Sequence, residues 1–122
     1  WGAPAATIYL RPQRYTKEFV DREEYFTLAF FGEEQRKALT LCGSKSGRDV
    51  DKVKECGFTV AGAACGAPYF EEAGLVLVCK KAYWQDMDPT HFLDGELDGK
   101  WYPERDYHRI FIGEIVEVLK KN

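Results

Sequence analysis

The apolar positions of this chain fall into short runs whose period alternates between that of a strand and that of a helix. "AATIYL" at 5–10, β-branched and aromatic between Pro4 and Pro12, predicts a strand. Thr16 is placed to cap a short helix over "KEFVDRE", with Phe19 and Val20 facing inward. "YFTLAFF" at 25–31 predicts a second strand, ended by Gly32. In "EEQRKALTLCG" acidic residues lead and a glycine closes, the polarity of a helix.

The pattern then loosens. "GSKSGR" at 43–48 reads as a polar loop, and Ser46 stands three residues before Asp49 as in a capping box. "DVDKVKECG" predicts another short helix closed by Gly57, and the small residues at 61–68 predict a surface crossing. "LVLVCKKAYWQD" at 75–86 is a long strand, apolar first and mixed later, as if leaving a core. Residues 88–108 mix turn signals with Phe92, Trp101 and Tyr102, which predicts a packed loop. In the last run, "RIFIGEIVEVLKK", the apolar positions slip phase near Gly113, suggesting a bulge or bend there. Strands separated by short helices predict a mainly β fold, a small β-barrel with inserted helices, in one domain over 1–122. No repeat or linker divides the chain.

Composition narrows the field. Three Trp, seven Tyr and eight Phe in 122 residues are a heavy aromatic load, which small proteins bury between sheets or at subunit interfaces. A net charge of -3 argues against general nucleic-acid binding. The longest clean apolar run, "GLVLVC", is strand-sized and argues against a membrane helix. The four cysteines form no CxxC pair, and neither histidine has metal-ligand spacing, so free and mostly buried thiols in a reducing cytoplasm are expected, with no metal. The chain opens on Trp1 without a secretory pattern, so Trp1 is not expected to be the natural start.

Candidate chemistry gathers where strands hand over to helices. In "YLRPQRYTKEF", Arg11, Arg14, Tyr15 and Thr16 bring two guanidinium forks, hydroxyls and helix-start amides to one junction, a set suited to an anion. The bland reading is a surface turn. "CGSKSGRDVDK" adds Ser46 and Arg48, with Ser44 and Lys45, before another helix start, without the offsets of a Walker loop. His108 stands just before the last apolar strand, where it could reach a cleft, and no nucleophile triad accompanies it.

"ATIYLRPQRYTKEF", "YFTLAFF", "CGSKSGRDVDK" and "DYHRIFIGEIVEVL" together resemble, in order and spacing, the flavin reductase-like family, in particular its flavoredoxin-like branch. The resemblance covers nearly the whole chain. It implies an FMN-binding split barrel that works as a cytoplasmic homodimer, binds FMN non-covalently and takes hydride from NADH or NADPH for an onward acceptor. By the same resemblance Arg11, Arg14, Tyr15 and Thr16 would hold the phosphate and ribityl end. Ser46 and Arg48 would approach that phosphate from the second loop, and His108 would lie near the flavin face as the catalytic candidate. Family members carry earlier strands and a Thr-, Ser- or Asn-rich loop that this chain lacks, so the barrel is expected to be shortened at its N-terminus. The competing expectation is a split-barrel dimerisation or binding module that no longer holds FMN productively.

Overall fold

The computed structural model describes residues 1–44, 54 and 56–121. Four strands form one antiparallel sheet: β1 (Ala5–Leu10), β2 (Tyr25–Phe30), β5 (Leu75–Asp86) and β6 (Arg109–Lys120), in the order β1-β6-β5-β2. Between them lie helix α1 (Tyr15–Arg22), a 3-10 turn at Glu33–Gln35 leading into α2 (Arg36–Ser44), a hairpin of β3 (Val60–Gly62) and β4 (Pro68–Phe70), a second 3-10 turn at Pro89–His91, and α3 (Glu96–Trp101). The architecture is mainly β, with short inserted helices, as the alternating periods imply.

The two twelve-residue strands β5 and β6 make the spine. Cross-strand pairs share a face, so Leu77, Cys79, Phe26, Phe111 and Ile115 meet on one side with Ile8 and Leu10 of β1. Val20 of α1 closes that cluster. On the other side the β3–β4 hairpin covers Val76 and Val78, with Ala67, Ala73, Ala29 and Leu119 around them. Phe31, Phe58 and Phe70 stack at its edge, with Phe31 and Phe58 centroids 5.1 Å apart. Phe111, Val76, Val78 and Cys79 are fully buried, each large apolar side chain contributing about 1.5–3 kcal/mol by leaving water.

The register has two irregularities: β6 carries an extra residue, Val116, opposite Val78 and Cys79, and β5 carries Ala82 opposite the Ile112–Gly113 step. The irregularity expected near Gly113 is thus present, but its extra residue belongs to β5; the extra residue of β6 itself is Val116. Gly113 has a different reason to be a glycine: a Cβ there would lie 2.8 Å from the Phe26 ring and 2.9 Å from the Cys79 Cβ. The ring lies directly on the β6 backbone.

Other expectations need correction. Arg14, not Thr16, occupies the N-cap of α1, because the turn closed by Arg14 N–H on the Arg11 carbonyl starts the helix earlier. Val20 is buried, but Phe19 is 42% exposed and lies under the Arg22 guanidinium at 5.1 Å. The small-residue stretch at 61–68 is no bare crossing but belongs to the hairpin, whose turn uses Gly66 at φ 91° and the Ala63 N–H to Ala67 carbonyl bond. Cys79 is buried and its burial pushes its thiol pKa up, whereas Cys56 is half-buried and Cys65 exposed. The capping-box pattern at Ser46 and most of the helix expected over "DVDKVKECG" lie outside the described residues. Among the described residues no cluster of His, Cys, Asp or Glu could hold a metal ion, and no helix is long and apolar enough to cross a membrane.

Candidate functional site

The chain leaves β1 at Leu10 and turns at once, so Arg11 sits at the lip of the sheet beside the loop that precedes β6. Its guanidinium donates from Nη1 to Asp106 Oδ2 at 2.8 Å and from Nη2 to the Trp101 carbonyl at 2.8 Å. The same fork lies 4.7 Å over the Tyr102 ring. Gln13 also donates to Asp106 Oδ2. The Gln13 bond, reinforced by Arg11, holds the Asp106 carboxyl below the usual carboxylate range against the opposing effect of desolvation. Asp106 Oδ1, in contrast, is buried and accepts no hydrogen bond. An orphaned carboxylate oxygen is costly, and a ligand N–H or O–H would satisfy it.

Tyr102 links Arg11 to His108. The phenol lies 2.6 Å from His108 Nδ1, and the two rings meet edge-on with centroids 5.5 Å apart. Burial and the positive charge of Arg11 push the His108 pKa down, against a smaller upward pull from Asp106. Phe92 and Tyr107 pack around Tyr102, and Tyr107 donates to Asp98 Oδ1 at 2.7 Å. The expected packed loop is thus an aromatic wall behind the histidine.

The start of α1 lies next to this group, joined to it through the Arg14 N–H bond to the Arg11 carbonyl. No side chain caps the helix, so its leading amides, at Tyr15 and Thr16, keep their capacity to bind an acceptor. Arg14 and Thr16 are exposed, and among the described residues no carboxylate pairs with Arg14. Of the residues expected in the site, Arg11, Arg14, the Tyr15 and Thr16 backbone, and His108 therefore fall in one corner, with Arg11 already committed to Asp106. Ser46 and Arg48 lie outside the described residues.

Sequence reasoning missed Asp106, Gln13 and Tyr102. Asp106 was legible only as the neighbour of His108 in "ERDYH", and nothing in the spacing links it to Arg11. Arg109, next in the chain, serves another purpose. It clamps Asp86 at 2.7 and 3.0 Å and Asp21 at 3.1 Å, and stacks 4.2 Å over Trp84, tying α1 to the spine. A cleft of about 450 Å³ between α1 and the hairpin is lined by Glu23 and Glu24 with Phe19, Tyr25 and Cys65. Its paired carboxylates suit it poorly to an anion.

The family model described as "Flavin reductase like domain" matches residues 3–122. Flavoredoxin from Methanosarcina acetivorans superimposes with a TM-score of 0.75 at 22% identity, covering 100% of this chain and 55% of that one. The FMN-binding protein from Thermus thermophilus, solved with p-hydroxybenzaldehyde, gives 0.72 at 22% identity over 98% of this chain and 56% of its own. A protein with a split barrel domain from Shewanella frigidimarina gives 0.73 at 18% identity over 98% and 52%. The chain spans about half the length of these structures. Compared by sequence with curated proteins, it has no match. The fold is thus the split-barrel fold, present here as a half-barrel sheet.

Proposed function

The chain belongs to the flavin reductase-like family, and from that premise we propose that it is an FMN-binding oxidoreductase that takes hydride from NADH or NADPH and passes electrons to a separate acceptor. The observation that carries the reading is the corner where the uncapped start of α1, Arg14 with no carboxylate partner among the described residues, and the Arg11–Asp106–Tyr102–His108 group come together. FMN asks for cations and amides at its phosphate and for apolar and hydrogen-bonding walls at its ring system.

The residues present fit that group. Arg14 with the Tyr15 and Thr16 amides would take the phosphate end, as charge-assisted bonds at a helix start do. The Thr16 hydroxyl is exposed beside the same end, and Tyr15, Ser46 and Arg48 are assigned to it by family resemblance. Arg11, held by Asp106, shapes the corner rather than waiting free. Asp106 Oδ1 offers an acceptor for a ligand N–H or O–H. His108, kept neutral by burial and by Arg11, is a hydrogen-bonding group beside the bound ring and our catalytic candidate. When bound, FMN supplies the hydride and electron chemistry; the chain needs no strong nucleophile of its own.

The sheet also leaves apolar strips uncovered. On the α1 side, Phe30 and Val118 are 51% and 57% exposed beside Leu28 and Leu77; on the other, at the opposite end of the sheet, Tyr9 and Tyr83 flank Ile110 and Ile112. These strips support a homodimer, and the cytoplasm is its place by family resemblance alone. They equally suit the second reading, a split-barrel interaction module without productive flavin. Titration of the purified 122-residue chain with FMN, followed by flavin fluorescence and visible absorbance, decides between them. Saturable binding, followed by bleaching with a reduced nicotinamide, is the expected result; no binding at high micromolar flavin favours the module.

A further inference from the structure

We propose that Tyr102 is a positioning residue for His108: its phenol donates to Nδ1 and holds the imidazole in the tautomer protonated on Nε2. The phenol oxygen has two neighbours, His108 Nδ1 at 2.6 Å and Met87 Sδ at 3.5 Å, and one proton to give. A thioether is a weak acceptor and an imidazole nitrogen a strong one. With the proton directed to sulfur, Nδ1–H would have to donate to the phenol, exchanging the strong acceptor for the weak one. The shorter of the two contacts is the one to nitrogen.

Both partners are held from outside the pair. Tyr102 terminates α3 with its N–H on the Asp98 carbonyl at 2.9 Å, and its own carbonyl accepts from Arg105 at 3.0 Å. Phe92, Tyr107 and the Arg11 guanidinium enclose the ring, and the residue is 9% exposed. The His108 carbonyl accepts from Met87 N–H at 3.1 Å, fixing the backbone beneath the imidazole. The groups around the imidazole are Arg11 from the end of β1, Met87 from the end of β5, Tyr102 from α3 and Asp106 from the loop before β6. Arg11 and burial disfavour the imidazolium, and Asp106 offsets them only in part. The ring is therefore neutral near pH 7 with a single N–H, on Nε2. His108 then acts on a bound molecule as a hydrogen-bond donor, and the ligand group it meets carries a lone pair, such as a carbonyl oxygen or a ring nitrogen.

Only this functional meaning rests on the flavin reading; the tautomer is a property of the chain alone. The test uses the uniformly 15N-labelled 122-residue chain without flavin, with long-range 1H–15N spectra near neutral pH. His91→Gln assigns the two imidazoles. The expected result is an unprotonated Nδ1 and a protonated Nε2 on His108. Tyr102→Phe keeps the ring that Arg11, Phe92 and Tyr107 pack against, and should move His108 from the single Nε2–H tautomer toward a mixture of the two. A proton on Nδ1 in the parent overturns the proposal, and so does an Nδ1 signal indifferent to Tyr102→Phe. If that variant fails to fold, the parent spectrum still decides. A parent that shows the Nε2–H tautomer yet binds no FMN supports the pair and overturns only the flavin reading.

Discussion

Arg11 and Arg14 are three residues apart in sequence and differ in their duties. Arg11 is bound to Asp106 and the Trp101 carbonyl and stacks on Tyr102, so its loss strips partners from a part-buried carboxylate. Arg14 is exposed, and among the described residues it meets no carboxylate. Arg14→Ala should therefore weaken FMN binding about 10- to 100-fold, the range for one charge-assisted bond, with an unchanged melting temperature. Equal affinities in parent and variant, measured by flavin titration, would remove Arg14 from the site. At the other end of the side-chain scale, Gly113→Ala must push a Cβ against the Phe26 ring and Cys79, and should cost about 1–3 kcal/mol in urea unfolding. Both arginines could be read from the sequence as cations at a junction. Their division of labour could not, because the deciding partner, Asp106, is 95 residues away in sequence from Arg11.

Helix α1 is fastened to the spine at its last turn. Lys81 donates to the Val20 and Asp21 carbonyls at 2.5 and 3.1 Å, capping the helix from β5. Arg109 binds Asp21 and Asp86 from β6. Hydrogen bonds from Arg109 lower the Asp86 pKa; for Asp21, desolvation pulls upward but is outweighed by Lys17 and Arg109. Carboxyls depressed on folding stabilise the protein above their unfolded pKa, near 4, and that stability is lost as pH falls through the folded values. Arg109→Gln should accordingly flatten the acid limb of a melting-temperature profile below about pH 5. A limb as steep as the parent's would show that the clamp is electrostatically idle. Strands β1 and β5 were legible to the residue because apolar runs bounded by Pro, Gly or Asp leave little choice of ends. The β3–β4 hairpin was not: three-residue strands among alanines and glycines carry no period, and they form because Phe58 and Phe70 pack on Phe31.

For the whole molecule, the balance between covered and uncovered apolar surface is the governing fact. Helix α1 protects one end of one face of the sheet and the hairpin the opposite end of the other face, leaving Phe30 with Val118 and Tyr9 with Tyr83 toward solvent. Light scattering on the purified chain should report a mass above that of a 14.0 kDa monomer, and Val118→Lys should lower it. A monomer at all concentrations would separate these strips from any role in self-association. The pairing order has a temporal consequence as well. Among the described strands, β1 precedes the others in the chain and hydrogen-bonds only to β6, which follows them, while β2 waits for β5. Contacts that span nearly the full chain fold slowly. On the ribosome, β1 therefore waits for β6 to emerge before it can pair. A stop before Arg109 removes the partner of β1 and of one edge of β5 at once, so the twelve residues of β6 decide whether β1 can join the β5–β2 pair in one sheet.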